Sequence, residues 1–578
     1  MSQRSRRPVR LWFEILESRY NPSSPALMAN INLPGANSAW DFSKGPFTPS
    51  PIVHDLFGDG QQEIITPGGD GNIYAYKYNK STGNFQQILQ YYTGAFGAGV
   101  PFYSTPALVN LPSGLALFAG NAHGIVFGWN AQTGTILPGW PRSVQSPGEA
   151  PSSDPTIDGV FGSIAAGDLE NNGNPDIVVS SFNHEITAFR PDGSVFWRFN
   201  NDDTDFSGVA IGDLNRDGRL EVVVGGDSAP SQFYWAGGRI DCLSWEGKRE
   251  WVIQTDQVIW SAPVLADLQG NGTLDVVVGT GLFYRNGNSY PGNEVYAVDP
   301  NGNILPGWPF VTGPGGSTTG SAPVQSSPAV ADLLGNGQLD VVFDDFAGNL
   351  YAVAPNGQQI WKTAAFPGQG LYGSAIVGPD IAGNGHADVI LGGVNGGSGQ
   401  IVLQGFDGTN GNSVFSFPGF NGTPPLPVYN APAVGQFTGD GSYQIAVVFS
   451  NYGSEGALLS PSNLEILNVG ASSVAPPWSQ LRQDGTANVV SRSATYSANF
   501  ITDLYQNALG RSASASEVDN IQLPDYVRAP SLEPLVHGIV ASTEAQTHQI
   551  NGWYQLYLNR LPDLGGLNSF LNFVNVGK

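Results

Sequence analysis

Cysteine is almost absent from this chain: Cys242 is the only one among 578 residues. A single cysteine excludes an intramolecular disulfide, a cysteine-cluster zinc site and a Cys-x-x-Cys redox pair. The flanking Ile240 and Leu243 follow the alternation of a strand, which predicts a buried, unreactive thiol. Long apolar runs are also missing, so the sequence predicts no transmembrane segment.

Basic residues are scarce as well. Asp and Glu outnumber Lys and Arg by 48 to 24, which gives a formal net charge of -24. Because phosphate binding needs a basic face, we expect no nucleic-acid partner. The chain is rich in turn-forming residues, with 76 Gly and 42 Pro, as an all-β protein built from many short strands would be.

Recognisable catalytic motifs are the third absence. The six histidines are scattered and none forms a His-Glu-x-x-His pair, and no Gly-x-Ser-x-Gly elbow occurs. Carboxylates are plentiful, and two of them could flank a glycosidic bond, but the sequence does not locate such a pair. The motifs therefore favour a protein that is not an enzyme.

A repeat of about fifty residues dominates what is present. An apolar strand, an acidic loop containing Gly, a second apolar strand, a turn and a third strand recur eight times between Asp55 and Gln444, at spacings of 45 to 65 residues. Two copies are degenerate: the one around Asn110 lacks the acidic loop, and the last has Gln436 and Gln444 at its loop ends. A period of this size is typical of propellers, solenoids and arrays.

The fifth copy shows how one unit is expected to fold. Its four predicted strands are Ser261–Asp267, Leu274–Gly279, Glu294–Asp299 and Ile304–Pro309. Four short strands, with the most apolar ones inside and a Pro-rich one outside, indicate a propeller blade. We therefore predict an all-β, eight-bladed β-propeller over residues 36–490, with seven blades as the alternative. Trp40 is expected on a strand that helps to close the ring.

The acidic loops resemble calcium loops. In the clearest one, side-chain oxygens stand at positions 1, 3, 5 and 9, namely Asp213, Asn215, Asp217 and Glu221. Arg219 can offer its backbone carbonyl, and Gly218 allows the chain to wrap around a hard cation. Because calcium accepts six to eight oxygens in loose geometry, it suits such a loop better than magnesium or zinc. The alternative is that these side chains only cap β-turns through backbone N–H groups.

Six loops carry candidate calcium ligands. They are Asp168, Glu170, Asn172, Asn174 and Asp176; Asp213, Asn215, Asp217, Arg219 and Glu221; Asp267, Gln269, Asn271, Thr273 and Asp275; Asp55, Asp59 and Glu63; Asp332, Asn336 and Asp340; and Asp380, Asn384 and Asp388. In the last three loops the third position is apolar, which removes one ligand. No ion is expected in the loop that ends at Gln444.

The acidic loop followed by a Val-Val-Val-Gly strand, repeated around a ring, resembles the FG-GAP or VCBS repeats of the integrin α-subunit propeller and of many secreted bacterial proteins. The resemblance covers residues 38–490. It implies a propeller that is used for adhesion or ligand binding and is stabilised by Ca²⁺ ions in its blade loops.

Both ends of the chain differ from the repeats. Residues 1–35 are predicted to be a disordered basic leader, in which Leu16-Glu-Ser-Arg19 resembles the export-type leaders of large bacterial proteins. Residues 495–578 carry an amphipathic helical pattern, for example at Phe500, Leu504 and Tyr505, and predict a small helical domain. It resembles a domain of unknown function on bacterial surface proteins. Together these features predict an extracellular or cell-surface location.

The sequence thus favours a non-catalytic binding or adhesion protein with a protein or polysaccharide ligand. The alternative is a secreted polysaccharide-degrading enzyme, either a lyase or a hydrolase, on the same calcium-bearing propeller. Four tryptophans could stack on sugars or pack between blades: Trp129, Trp140, Trp308 and Trp361. Convergence of acidic and aromatic residues at one end of the central channel would distinguish the two functions.

Overall fold

Eight small sheets, each made mainly of antiparallel strands in chain order, form an eight-bladed β-propeller, as the sequence predicted. The computed structural model describes residues 25–34, 49–97, 99–146, 158–201, 203–228, 237–281, 292–313, 322–368, 371, 373–393, 401–418, 428, 430–449, 462–472, 474–481, 490–491 and 547. The chain divides into two compact units, residues 1–491 and 492–578. The basic segment before residue 25, Trp40 and the predicted helical domain apart from Thr547 lie outside the described residues.

The first four blades contain strands β2 to β17. Blade 1 consists of β2 (Ile52–His54), β3 (Glu63–Pro67), β4 (Ile73–Asn79) and β5 (Asn84–Tyr91). A short 3₁₀ helix (Gly94–Phe96) precedes blade 2, which consists of β6 (Ala107–Leu111), β7 (Gly114–Gly120), β8 (Ile125–Asn130) and β9 (Arg142–Ser143). Blade 3 consists of β10 (Ala165–Gly167), β11 (Asp176–Ser181), β12 (Glu185–Phe189) and β13 (Val195–Asn200). Blade 4 consists of β14 (Val209–Gly212), β15 (Glu221–Ser228), β16 (Gly237–Leu243) and β17 (Arg249–Thr255).

The other four blades contain the remaining strands. Blade 5 consists of β18 (Val264–Ala266), β19 (Asp275–Gly279), β20 (Glu294–Val298) and β21 (Phe310–Val311). Blade 6 consists of β22 (Ala329–Ala331), β23 (Asp340–Asp344), β24 (Asn349–Val353) and β25 (Gln359–Ala364). Blade 7 consists of β26 (Ile376–Val377), β27 (Asp388–Gly392), β28 (Leu403–Asp407) and β29 (Ser413–Phe417). Blade 8 consists of β30 (Ala433–Gly435), β31 (Ser442–Phe449), β32 (Asn463–Ala471) and β1 (Ala26–Asn32).

The order of strands within a blade follows their hydrophobicity. Second strands such as β19 are buried at every residue, which suits a strand covered on both faces. First strands of neighbouring blades contact one another, for example β14 with β10 and with β18, so they surround a central channel. Proline directly before a first strand, as at Pro263, costs no ladder bond because that edge faces the channel. Cys242 in β16 is fully buried, as predicted.

The N-terminal strand β1 closes the ring. It pairs antiparallel with β32, for example Asn30 with Glu465, and supplies the outer strand of blade 8. The propeller therefore begins at Ala26 and not at residue 36, and β1 is the strand that completes the ring. The disordered leader expected over residues 1–35 does not extend through β1.

The fourth strand of blade 5 begins later than its sequence pattern suggested. Ile304 makes only an isolated bridge with Val298, and the ladder resumes in β21, after Pro309. Pro309 has no N–H to donate, which explains why the regular pairing starts after it.

Tryptophans on the outer parts of the blades join neighbouring blades. The indole Nε1 of Trp140 donates to the Pro191 carbonyl at 2.9 Å, and that of Trp308 donates to the Pro355 carbonyl at 2.9 Å. Trp361 donates in the same way to Gly408 at 2.7 Å. These side chains are buried, as is Trp129, so they pack between blades and offer no surface for sugar stacking.

After blade 8 the chain enters the central channel. Trp478 pairs with Val377 in the first strand of blade 7, and the Ser479 carbonyl accepts the N–H of Val434 in blade 8. The side chain of Gln480 binds both backbone groups of Val53 in blade 1, accepting its N–H at 2.6 Å and donating to its carbonyl at 3.2 Å. We call residues 474–481 the channel segment.

The chain runs along the channel a second time at β33 (Val490–Ser491), which pairs parallel with β18 of blade 5. The inner edges of blades 1, 5, 7 and 8 are therefore hydrogen-bonded to residues that follow the last repeat. These contacts hold the first strands of separate blades together from inside the ring.

Candidate functional site

The two ends of the channel carry different groups. Each first strand runs away from a channel-lining segment and ends at the loop that leads to the second strand, which is acidic in most blades, as β18 does between Trp260 and Asp267. The acidic loops thus lie on one face, the loop face. The segments that precede the first strands surround the opposite end of the channel, here called the mouth.

A ring of small residues, one from each blade, surrounds the mouth. They are Ser50, Thr105, Ser163, Gly208, Ala262, Ser327, Ser374 and Ala431. At four places in the ring, a hydroxyl of the next blade accepts a backbone N–H from the preceding blade. The bonds are Ser50 N to Thr105 Oγ1 (3.0 Å), Ala262 N to Ser327 Oγ (3.0 Å), Ser327 N to Ser374 Oγ (2.9 Å) and Ala431 N to Ser50 Oγ (3.0 Å). These bonds fix the positions of the blades around the mouth.

Aromatic side chains form one wall of the mouth. Tyr103 stacks on Phe161 with ring centroids 4.9 Å apart, Phe206 lies 5.3 Å from Phe161, and Trp260 lies 5.4 Å from Phe206. The four rings come from four consecutive blades, and each stands two residues before the ring of small residues. Trp260 is partly exposed, while the other three are buried. This arrangement presents an apolar wall backed by packed rings.

The other wall is polar and encloses a cavity of about 100 Å³. Asn430 is 2% exposed, and its Nδ2 donates to the Val448 carbonyl, while its Oδ1 is buried without a hydrogen-bond donor. Gln325 Oε1 is likewise buried without a donor. A buried acceptor without a donor is costly, so these two oxygens mark places for a ligand or water that donates hydrogen bonds. No Asp or Glu stands among the described residues that line this cavity.

The sequence reasoning above did not identify the mouth, although a signal for it exists. An aromatic residue precedes the ring by two positions in six of the eight repeats: Tyr103, Phe161, Phe206, Trp260, Tyr372 and Tyr429. The last two lie outside the described residues. Aligning the repeats on the residues before the first strand, and not on the acidic loop, would have found this pattern.

The acidic loops share one hydrogen-bond pattern. In blade 3 the Asp168 carboxylate accepts the N–H of Asn172 at 2.8 Å and of Gly173 at 2.7 Å. The acid that opens the second strand, Asp176, accepts the N–H of Leu169 at 3.2 Å. The loops beginning at Asp55, Asp267, Asp332 and Asp380 repeat the first of these contacts. Turn capping is therefore present in the loops, as the alternative reading proposed.

In three loops, one carboxylate oxygen takes no part in turn capping. Asp176 Oδ1, Asp213 Oδ1 and Asp388 Oδ1 are buried without a hydrogen-bond partner. Asp176 and Asp388 are almost fully buried. Such an oxygen is a suitable ligand for a hard cation, and calcium accepts carboxylate, amide and carbonyl oxygens together. Within the described ranges no group of three or more His, Cys, Asp and Glu side chains is arranged around one point, so an ion here would be held by two carboxylates plus amide and carbonyl oxygens.

Other predicted ligands have protein partners. Arg190 forms a two-pronged contact with Glu170, at 2.8 and 3.1 Å. Gln269 Nε2 donates to Asp275 Oδ1 at 2.8 Å, so this amide presents a donor and not a ligand oxygen to that carboxylate. The Arg219 guanidinium lies 4.7 Å above the Trp245 ring.

Amide and hydroxyl side chains within the loops mainly cap their own turns. Backbone N–H groups two residues on are accepted by Asn172, Asn215, Asp217, Asn271, Asn336 and Asn384. Thr273 donates its hydroxyl to Asn271 at 2.6 Å, and Asn174 donates to Asn172 at 3.0 Å. The carboxylates of Asp340 and Glu221 each accept one backbone N–H, from Leu333 and Leu214.

In the loop of blade 8, an amide stands in place of the second acid and forms the hydrogen bonds of the turn. Gln444 Oε1 accepts the N–H of Phe437 at 2.7 Å, while its Nε2 donates to Ser442 Oγ at 2.6 Å. An acid at this place has no proton with which to make the second contact. In the loop of blade 8, both the oxygen and the nitrogen of the Gln444 amide are therefore hydrogen-bonded within the protein.

In protein stripped of divalent cations by a chelator, stability is expected to rise as the pH is lowered. Burial raises the pKa of Asp176 and of Asp388 to about 7 and that of Glu221 to about 8, well above the value in an unfolded chain. The folded state then binds more protons than the unfolded state between these values, so the contribution is full at low pH and is lost as the pH rises through about 7. Melting temperatures in chelator between about pH 5 and about pH 8 test this, with excess calcium expected to remove the decline. A melting temperature in chelator that increases with pH would contradict it.

Residues 213–278 match a protein family described as FG-GAP-like repeat. The matched stretch runs from the acidic loop of blade 4 to the second strand of blade 5. No curated protein matches this chain.

Several solved structures are similar to the chain. BamB from Moraxella catarrhalis has 11% identity, with 77% of this chain and 98% of that chain covered, at a TM-score of 0.46. Saccharomyces cerevisiae Sqt1 has 12% identity, with coverage of 77% and 99%, at a TM-score of 0.49. The V. cholerae biofilm matrix protein Bap1 has 14% identity, with coverage of 76% and 81%, at a TM-score of 0.36. Likenesses at this level say nothing about function.

Proposed function

Starting from an eight-bladed β-propeller that carries an FG-GAP-like repeat, we propose that this chain is a non-catalytic binding or adhesion protein of the extracellular space or cell surface. Its ligand, a protein or a polysaccharide, docks at the mouth of the channel. The observation that carries the proposal is the pairing there of an aromatic wall with buried acceptors, at Asn430 and Gln325, that have no donor.

The two walls suit a ligand with an apolar face and donating edges. A pyranose ring has this character, since its C–H face packs on aromatic rings while its hydroxyls donate to carbonyl oxygens. A protein loop with a polar tip has it as well. Hydrolysis of a glycosidic bond generally uses a pair of carboxyl groups, and the described lining residues provide none. Binding of a ligand without cleavage requires only the aromatic wall and the polar wall of the mouth.

Calcium is proposed as a structural brace on the loop face, away from the ligand. The support is the oxygen without a partner in Asp176, Asp213 and Asp388, together with the burial that makes Asp176 and Asp388 costly to charge without a cation. When bound, Ca²⁺ would supply the positive charge that such buried carboxylates need. Among the described residues no helix has the length and apolar character required to span a bilayer.

Binding to a panel of immobilised polysaccharides and surface proteins tests the proposal. Trp260→Ala is expected to weaken a positive interaction at least about fivefold, because an aromatic contact contributes about 1 kcal/mol beyond its buried area. Trp245→Ala is the matched control on the loop face, where Trp245 contacts Arg219, and it should leave affinity unchanged. Equal losses in the two variants would contradict docking at the mouth. Cleavage of a bound polysaccharide by the wild-type protein would favour the enzyme instead.

A further inference from the structure

One register position in the third strand of each blade faces the acid that opens the second strand. In blade 7 this position is Asp407, the ladder partner of Asp388. In blade 1 it is Lys77, since the preceding Tyr76 pairs with Ile64 and places Lys77 opposite Glu63. In blade 3 it is Arg190, which follows the Phe189 that pairs with Ile177.

In blade 1 an ammonium group lies within the acidic loop. Lys77 Nζ is 2.7 Å from Asp59 Oδ2 and 2.5 Å from Glu63 Oε1. The Glu63 side chain is fully buried, and the other Glu63 oxygen accepts the N–H of Leu56. Lys77 therefore supplies the positive charge that two carboxylates need, in the place where a bound cation would supply it.

Blade 7 has the opposite arrangement. Asp388 and Asp407 face each other across the ladder, and like charges that are directly opposed destabilise a strand pair. The Asp407 oxygens accept hydrogen bonds from Thr409 and Asn410 in the following turn, but no basic group of the described residues lies between the two acids. Asp388 is fully buried, with one oxygen held by the N–H groups of Ile381 and Ala382 at 2.6 Å and the other without a partner. No Lys or Arg is paired with Asp388 by an ion pair in the described parts of the chain. A cation is the group that this loop lacks.

Blade 3 is intermediate. Arg190 is positioned as Lys77 is, but its guanidinium pairs with Glu170, and Asp176 keeps one buried oxygen without a partner. A basic residue at this register position therefore removes the need for a cation only when it contacts the acid of the second strand.

We propose that the residue at this position decides which blades take up Ca²⁺. Lys77 makes blade 1 independent of metal, whereas in blade 7 Asp388 and Asp407 together supply the two carboxylates of a calcium site. The inference rests on the calcium-braced propeller proposed above and adds the rule by which individual loops are filled.

Counting bound Ca²⁺ per full-length chain, by equilibrium dialysis followed by atomic emission, tests the rule. Lys77→Ala is expected to bind one more calcium ion than the wild type, and its melting temperature should become more sensitive to chelator. Lys77→Arg, which retains the positive charge, should keep the wild-type count. Asp407→Lys should bind one ion fewer, while Asp407→Asn, which keeps an oxygen ligand, should keep the count with affinity lowered about tenfold.

The outcomes separate this inference from the function on which it rests. A wild-type protein that binds calcium, with unchanged counts in both Lys77→Ala and Asp407→Lys, overturns the rule and leaves the calcium brace in place. A wild-type protein that binds no calcium overturns both. If Lys77→Ala does not fold in chelator, recovery of its fold on adding Ca²⁺ supports the rule and failure to recover counts against it. Asp407→Lys tests the same rule without removing a buried ion pair, so its calcium count does not depend on whether Lys77→Ala folds.

Discussion

Replacing Trp478 with alanine is expected to lower the free energy of unfolding by about 3–5 kcal/mol, the usual range for removing a buried tryptophan. Trp478 is 2% exposed and packs in the core shared by blades 4 to 7, although it follows the last repeat. The effect is large because removing the indole from this packed core leaves a cavity that the surrounding strands fill only in part.

Denaturant unfolding of the full-length chain measures this effect. Tyr92→Ala is a control, since Tyr92 is 61% exposed and its loss should change the free energy by no more than about 0.5 kcal/mol. A change below about 1 kcal/mol for Trp478→Ala would mean that the channel segment does not hold the ring together.

Removing the N-terminal strand is expected to have the second large effect. A chain that lacks residues 1–34 loses β1 and with it the outer strand of blade 8, and β32 gains an unpaired edge. The same deletion removes Leu33, which is 4% exposed, and Ile31, which packs against the core between blades 8 and 1. Losing two such side chains costs about 5 kcal/mol or more.

A deletion of residues 1–24 alone provides the matched control, because it leaves β1 in place. Thermal unfolding, together with light scattering for aggregation, compares the two truncated chains with the full-length protein. The shorter deletion should melt as the full-length protein does, and the longer one should melt lower and aggregate. Equal melting temperatures for the two truncated chains would contradict closure of the ring by β1.

The blades could be predicted from the sequence because each one repeats the same short pattern of strand and loop residues. An apolar first strand, a Gly-containing loop such as the one at Gly218 and a continuous Val-Val-Val strand are readable within some twenty residues. The degenerate unit at Asn110 still forms a complete blade, since its strands retain their apolar pattern. Local patterns thus account for the number of blades.

Closure of the ring could not be predicted from local sequence patterns. β1 lies before the first repeat and pairs with β32 more than 400 residues later, so no local pattern marks its partner. The channel segment is similar: Trp478, Ser479 and Gln480 belong to no repeat unit, yet they bind the first strands of three blades in all. Contacts of this kind depend on the completed ring.

The candidate loops were located correctly as acidic turns, but their differences depend on residues outside them. Lys77 and Asp407 stand in third strands, well after the loops that they face, and only the ladder register brings them there. Gln269 illustrates a second difficulty, because an amide offers either an oxygen or an N–H, and the neighbouring Asp275 takes the N–H. Which loops hold a cation stays a prediction that rests on these contacts.

Long-wavelength anomalous diffraction from crystals grown with Ca²⁺ tests the central claim most directly, because it locates each calcium ion. The account predicts anomalous peaks within the loops that contain Asp213 and Asp388, and none beside Lys77 in blade 1. An absence of peaks in both of those loops, or a peak between Asp59 and Glu63, would contradict it.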